Sequence, residues 1–376
     1  MSAVPANVPR WDDHAWSGLP VLAADAEAEL CVVGLGGTGL SCISEALDLG
    51  VRSVIGIDAA DVAAGAAGRN GGLLLAGPVD FHHDAVAKLG RERTLTITRL
   101  TMAERERIAR ETPGVVRVTG SLRIAYDDAE LEDIAAQYEA MRADALVVEH
   151  YDGPEGRGIC IPDDAVMQPL KRCRMLAETL RARGAKLYVR TAAQDIAPSV
   201  VRTTDHAIRA RCIIVAVDGG LERFVPSLAS DVRTARLQML AAAPDLPVRF
   251  SRPVSMRYGF DYWQQLPDGS VLLGGGRDFH EAAEWTCEAT PTPSVQDYLT
   301  RTLRERLGIS TEITHRWAAS VAFTSTGLPL FRALGDGVYA LGAYSGTGNL
   351  VGAVLGRGAA RFALRGDDSL VVPFRA

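Results

Sequence analysis

Along this chain, apolar positions recur with two periods, and these predict where strands and helices lie. A short apolar run, Leu30–Val33, reads as a buried strand. Residues Leu40–Leu49 carry apolar positions at helical spacing, and Gly50 stops them. Val51–Ile57 reads as a second strand that ends at Asp58. Further helices are predicted over Leu95–Glu111, Asp127–Met141, about Pro169–Arg183 and Ser294–Leu307. The third of these keeps Leu170, Cys173, Leu176 and Leu180 on one face, and Gly184 caps it. Strand character marks Gly114–Ile124 (strand, turn, strand), Leu146–His150, Lys186–Val189, the region of Asp195 and Ile196, and Ala210–Val217. A second sheet is predicted from Val232–Met239, Val248–Met256, Val271–Asp278 and Thr311–Phe323, with a hairpin turn at Pro267–Gly269. Strand Val338–Leu341 leads through glycines into a helix starting near Asn349. Residues 1–28, punctuated by proline and tryptophan, read as an irregular arm.

The first strand–helix–strand unit carries a specific chemistry. Gly34, Gly36 and Gly39 fit G-x-G-x-x-G between strand and helix, with Gly37 and Thr38 inside the turn. Gly34 permits the tight turn, Gly36 lets backbone approach a pyrophosphate, and Gly39 lets the helix pack closely on the strand. The helix N-terminus then offers free N–H groups and the positive end of its dipole. Asp58 follows Gly39 by 19 residues. That is the position from which an acid accepts hydrogen bonds from an adenosine ribose, and it disfavours a 2′-phosphate. The fingerprint predicts a dinucleotide and does not separate NAD from FAD.

Two more glycine-rich blocks follow. Asp61–Gly77 holds Gly65, Gly68, Gly71 and Gly72 around Arg69 and Asn70, with Leu73 next. Glycines there let backbone run against a flat ligand while Arg and Asn supply donors. Gly346, Thr347, Gly348 and Asn349 form the turn of a second strand–turn–helix unit, and Gly219 closes the strand before Gly220.

The bulk numbers exclude several classes. A formal net charge of −6 with no basic run argues against nucleic acid. No apolar stretch approaches a membrane helix. The N-terminus lacks a charged segment followed by an apolar one, so no signal peptide is expected. The six cysteines form no C-x-x-C pair. Buried free thiols and a cytoplasmic location are expected. The length suits two domains. Lys88, Lys171 and Lys186 are the only lysines, which removes most candidates for a catalytic lysine.

Three glycine blocks far apart in one chain suggest one large cofactor, and together they resemble a known family. GAAGRNGG (Gly65–Gly72), GICIPDDAVMQP (Gly158–Pro169), WAASVAFTSTGLPLF (Trp317–Phe331) and GAYSGTGN (Gly342–Asn349) are similar to blocks of the FAD-dependent D-amino acid oxidase superfamily. The resemblance lies with the branch of glycine oxidase, sarcosine oxidase and γ-glutamylputrescine oxidase, and covers about residues 19 to 365. It implies an α/β fold. A discontinuous Rossmann-like FAD-binding domain (29–90, 151–225 and 318–376) is joined to an α+β substrate domain with a mostly antiparallel sheet (91–150 and 226–317). It also implies hydride transfer from a carbon bearing an amine to flavin N5. The imine then hydrolyses, and O2 takes the electrons to give hydrogen peroxide.

This chain departs from the family at the substrate. The arginines that hold a substrate carboxylate in glycine oxidases fall, by alignment, at Val321 and Gly346. Arg277 is the substitute the sequence offers. Val321 or its neighbours replace the cysteine that bonds the flavin in sarcosine oxidases, so FAD is expected to be non-covalent. No lysine follows Lys186 to activate oxygen. Tyr258, Tyr262, Trp263 and Tyr344 are candidates for an aromatic cage over an amine. Tyr344 sits in the block beside the flavin, and His280 follows Arg277 by three residues. The histidines show no metal spacing. Tyr344, Arg277, Tyr262 and His280 are therefore the candidate catalytic residues. Gly34, Gly36, Gly37, Thr38, Gly39, Asp58, Gly68, Arg69, Asn70, Gly71, Gly72, Leu73, Ile196, Gly219, Gly346, Thr347, Gly348 and Asn349 are the candidate cofactor residues. Three alternatives stay open: a flavin dehydrogenase with another acceptor, a non-catalytic flavoprotein, and an NAD-dependent dehydrogenase built on the first unit. The substrate expected is a small amine or amino acid, and the oligomeric state stays open.

Overall fold

A computed structural model describes residues 7–375. Residues 1–6 of the expected arm lie outside the described residues. The first sheet has a parallel centre. Across it run Lys186–Tyr188, Val54–Ile57, Ala26–Val33, Ala207–Val215 and Val338–Gly342. Leu330–Gly335 continues the sheet antiparallel at one side. The ribbon Asp195–Ala197 and Val200–Arg202 pairs with the start of Ala207–Val215. Val54–Ile57 is buried along its length and Ala207–Val215 over its last four residues, where both faces are covered, which is why these stretches read as apolar runs. Strands from widely separated parts of the chain lie side by side because parallel neighbours need crossovers.

Helix Gly37–Asp48 lies between this sheet and the last helix, Ala353–Arg365. Two glycines set the spacing. A Cβ on Gly39 would overlap the carbonyl oxygen of Gly34. A Cβ on Gly356 would overlap the carbonyl oxygen of Thr38 from the other side. The helix is thus packed backbone to backbone on two sides.

The second sheet runs in the order Ile313–Phe323, Arg233–Ala242, Val271–Gly274, Asp261–Gln265, Val254–Met256, Ser121–Ile124, Gly156–Ile161, Glu149–Gly153. It is antiparallel except where Val254–Met256 meets Ser121–Ile124. Side chains alternate between its faces. Leu240, Leu273 and Trp263 pack with Val295 and Leu299 of helix Pro293–Arg301 on one face. Met239, Leu272 and Trp317 join the core of the first sheet on the other. A small third sheet joins Leu73–Leu74, Ala165–Met167 and Val116–Val118.

Several expected elements shift. Val116–Val118 and Ser121–Ile124 enter different sheets. The strand expected over Val248–Met256 is confined to Val254–Met256, and the one expected over Leu146–His150 is Glu149–Gly153. Helix Pro293–Arg301 passes into a π-helical turn at Thr302–Arg306 rather than running as α-helix to Leu307. Helix Arg91–Glu111 packs against the last helix, where Glu104 and Glu111 hold Arg357. Ile313–Phe323 is one continuous strand across the 317/318 boundary. Hydropathy marks burial and is silent on which partner does the burying.

Candidate active site

The glycine turn between Val33 and helix Gly37–Asp48 leaves the helix N-terminus open. Gly36 caps it without a side-chain bond, and no acid stands in the first turn. Its unpaired N–H groups and positive dipole end are therefore free for phosphate. Asp58 stands at the end of the next strand. One carboxylate oxygen accepts from Leu35 N (2.8 Å) and the other from Ala60 N (2.9 Å). Each oxygen keeps a lone pair for a ribose hydroxyl. Burial pushes this carboxyl up, and the two backbone bonds oppose that. A buried arginine that the sequence reading missed closes the turn from below. Arg172 donates to Gly37 O (3.3 Å) and Ser41 Oγ (3.0 Å), and its Nε has no partner. It lies in a helix read only for its apolar face, so periodicity did not mark it.

The second and third glycine blocks meet at an amide pair. Asn70 Nδ2 donates to Asn349 Oδ1 (3.1 Å), and Asn349 Nδ2 donates to Asn70 Oδ1 (3.0 Å). Asn349 also donates to Leu73 O, and Gly72 N donates to Asn70 Oδ1. Three successive carbonyls of the second block are bound by side chains from elsewhere. Trp317 Nε1 donates to Arg69 O (2.7 Å), Trp11 Nε1 to Asn70 O (2.8 Å), and Gln264 Nε2 to Gly71 O. The expected role of Arg69 and Asn70 as side-chain donors to a ligand needs correction. The Arg69 guanidinium donates to Ala64 O (2.7 Å), to Asn7 and to Ala318 O (3.1 Å). Both side chains are taken up in tying loops, which leaves the backbone of Gly68–Leu73 as the surface they shape. Gly219 lies at the seam between the sheets. Its missing Cβ makes room for the carbonyl of Ser320, so the turn abuts the second sheet.

Asn70→Ala and Asn349→Ala are expected to be non-additive. Each single variant already removes both amide–amide bonds, so the second substitution costs less than it does alone. A double-mutant cycle on urea unfolding should return a coupling of about 1–2 kcal/mol. Additive losses would mean that the pair joins nothing.

The third block carries strain. Ala343 (φ 55°), Ser345 (φ 50°) and Gly346 (φ 93°) all lie in the left-handed region. Two non-glycine residues there mark a held conformation of the kind found at ligand sites. Ser345 Oγ is buried without a partner, and the space beside Gly346 is open. Asp218, which the sequence reading passed over, latches this block to the second sheet. Its carboxylate accepts from Ala322 N (3.3 Å) and Tyr344 N (3.4 Å). Burial pushes it up to about 6.

Across from these turns stands one face of the second sheet. Trp317, Met239, Gly274, Tyr262, Ser255 and Arg123 are successive cross-strand partners and so share that face. Leu237, Ala319, Ala235 and Val321 continue it. The Tyr262 ring lies against Gly71 and Gly274, where a Cβ on either would strike it. Tyr262 thus joins the second sheet to the glycine block. Burial pushes its hydroxyl up to about 12, so it stays neutral at physiological pH.

The four-aromatic cage does not form. Trp263 faces the opposite side of the sheet. Tyr258 is exposed and stacks on Phe81 (5.5 Å). Tyr344 is buried against Gly348 and Gly352 in the core, with its hydroxyl toward Thr38, beneath the nucleotide helix. Sequence proximity to a ligand block does not say into which side of the block a ring points. A different cage exists. Phe260, Trp285 and Phe323 surround Arg277, with its guanidinium carbon 5.6, 5.2 and 4.9 Å from their centroids. Arg277 has no ion-pair partner within 4 Å among the described residues, and burial lowers its pKa. It follows Gly274 by three residues, so it stands at the Tyr262 end of the face. His280 ends a short 3-10 turn after it. Ile196 lies in the edge ribbon of the first sheet, packed toward Val217 and Phe224. All six cysteines are free, five of them buried. Among the described residues no helix is long and apolar enough to cross a membrane.

The open helix N-terminus, the ribose acid, the unpartnered Ser345 hydroxyl and the glycine-lined backbone facing Tyr262 fit an FAD-sized dinucleotide. Solved structures share the fold. Glycine oxidase from Geobacillus kaustophilus superposes with a TM-score of 0.75 at 17% identity, over 90% of this chain and 95% of that one. L-proline dehydrogenase from P. horikoshii gives 0.74 at 17%, over 93% and 98%. The γ-glutamylputrescine oxidoreductase of Escherichia coli (strain K12) is 26% identical over 367 residues, which is 90% of this chain and 84% of that protein. The family described as FAD dependent oxidoreductase (DAO) matches residues 29–362. The chain belongs to this family of FAD-dependent oxidoreductases.

Proposed function

We propose that this chain oxidises a C–N bond of a small amine or amino acid. The observation that supports it is the face that carries Tyr262, Val321 and Gly274, with the Tyr262 ring set against the Gly68–Leu73 backbone. The similar proteins from E. coli and G. kaustophilus are named for such substrates. FAD, when bound, supplies the acceptor for a hydride from the carbon that bears the nitrogen. Gly34–Gly39 and Asp58 hold its adenosine and pyrophosphate, and Arg172 adds positive charge below that turn. The Gly68–Leu73 and Ser345–Asn349 backbones hold the rest. FAD is held without a covalent bond.

The chain's own groups position the substrate. Tyr262 offers a neutral hydroxyl beside an apolar wall of Leu237, Ala319 and Val321. This wall excludes water from the reacting carbon and favours the neutral amine. Arg277 places a cation at the near end of the face and receives a carboxylate there, in place of the arginines absent at Val321 and Gly346. O2 is the acceptor that returns the enzyme to its resting state.

A second reading, a dehydrogenase passing electrons to another acceptor, draws on the lysines. Lys88, Lys171 and Lys186 lie on helix His82–Leu89, helix Pro169–Ala182 and the first sheet. None stands on the Tyr262 face. Anaerobic titration with secondary amines, diamines and amino acids separates the readings. Bleaching of the flavin absorbance by one class is expected, with recovery in air. Bleaching without recovery selects the dehydrogenase, and no bleaching by any class overturns the proposal.

A further inference from the structure

We propose that Arg123, with the cavity it floors, holds a carboxylate at the far end of the substrate. The preferred substrates are then amines whose anionic group stands several bonds from the C–N bond that is oxidised. This rests on the function proposed above and names its substrate class.

Arg123 is two strands from Tyr262 on the same face, through the pairs Tyr262–Ser255 and Ser255–Arg123. Neighbouring strands lie about 4.8 Å apart, so the two Cα atoms stand about 10 Å apart. The cavity over Arg123 and Ser255 is walled by Leu75, Ala76 and Gly77, the last residues of the second glycine block. Ser255, which lines it, is the cross-strand partner of Tyr262. Helix residues Met102 and Met141 close its far side.

The arginine is under-used by its own protein. One nitrogen donates to Gln137 Oε1 (2.6 Å), and the Phe81 ring covers the guanidinium at 4.2 Å. No carboxylate lies within 4 Å of it among the described residues. The two acids that act on it at longer range are Asp164 and Glu130, and both are committed. Asp164 accepts from Ser121 Oγ (2.6 Å) and Ala76 N (3.2 Å). Glu130 accepts from the backbone N–H groups of Tyr126, Arg257 and Tyr258. Asp80 on the wall takes Lys88 (2.9 Å), and Arg105 is bonded to Asp163 O. Burial lowers Arg123 to about 10, so it stays charged at neutral pH. A guanidinium has five N–H donors in a planar fork that matches a carboxylate. A charged, half-buried fork whose side-chain partner is one amide oxygen suits an anion. Asp163 and Asp164 on the wall favour a monoanionic carboxylate over a dianion.

The test compares linear ω-amino acids with n-alkylamines of matching length on the holoprotein. Anaerobic flavin reduction gives an apparent Kd and a limiting rate for each. Hexanoate, which carries one carboxylate and no amine, is titrated in parallel by calorimetry. We expect ω-amino acids of one optimal length to bind at least about 30-fold more tightly than their alkylamine partners. Arg123→Met should erase that advantage while leaving the limiting rate for alkylamines unchanged. Arg123→Lys, which keeps the charge and loses the fork, should retain part of it. Equal affinity for the two series overturns the proposal, as does an advantage that survives Arg123→Met. Hexanoate binding that depends on Arg123 in a protein whose flavin no amine reduces would leave the carboxylate site standing and overturn the oxidation chemistry instead.

Discussion

Gly39→Ala is expected to yield a colourless or insoluble protein. The added Cβ would overlap the carbonyl oxygen of Gly34, and Val32 Cγ1 waits at 3.2 Å. The helix cannot move away, because Gly356 packs its backbone against Thr38 on the other side. Overpacking of this kind costs about 1–3 kcal/mol or more even where side chains can give way, and here the obstruction is backbone. The turn that offers its N–H groups to the pyrophosphate would be displaced with the helix. Gly36→Ala is the instructive partner. Its Cβ would meet only Ala67 Cβ at 3.3 Å. That variant should fold with a near-native melting temperature and lose FAD affinity, because its Cβ projects where phosphate must approach. Flavin-to-protein absorbance ratios and thermal melts of both variants check this. A yellow Gly39→Ala protein melting within a few degrees of wild type would refute the packing account.

Arg357→Met is expected to destabilise the holoprotein by about 3–5 kcal/mol at pH 8. Arg357 is 2% exposed and is the cation at the centre of a buried acidic group. Its Nε lies 3.0 Å from both Glu104 oxygens, and its Nη2 lies 2.9 Å from Glu111. Glu45 approaches at 3.9 Å. Without the guanidinium, Glu104 is left charged and nearly waterless. The sign of the pH dependence follows from Glu104. Burial already raises its carboxyl above the ordinary value, with Arg357 pulling it back. Removing Arg357 raises it further, so the folded variant holds a proton more tightly than the unfolded chain. The penalty is then absent below the unfolded value, and it grows as pH rises through the folded one. Urea unfolding at pH 5 and pH 8 should show a smaller deficit at pH 5, by at least about 1 kcal/mol. A deficit under 1 kcal/mol that ignores pH would show that the cluster contributes little.

These two sites were legible in the sequence to different degrees. Gly39 was marked by its spacing alone, with its reason. Arg357 was not marked at all, since its partners Glu104 and Glu111 lie more than 240 residues away on a helix that reads as charged on one face. The candidate site divides in the same way. Asp58 and the glycines were named because local backbone chemistry dictates those residue types at those spacings. Asn70 and Asn349 were both named, but as ligands of a cofactor rather than of each other. Tyr262 was named as one of four aromatics, and only the sheet register separates it from Trp263, its neighbour on the opposite face.

The chain alone determined the nucleotide unit, the two periods of its helices and strands, and the identity of the blocks that gather around the cofactor. These rest on short-range physics: helix dipoles, tight turns, and alternation within a strand. The tertiary structure decided everything that depends on strands paired across long stretches of chain. It set Arg123, Ser255 and Tyr262 in one row, placed Arg277 among Phe260, Trp285 and Phe323, and turned Tyr344 inward to Thr38. A strand's sequence records which side chains share a face, whereas the neighbour opposite that face is chosen by packing the whole molecule.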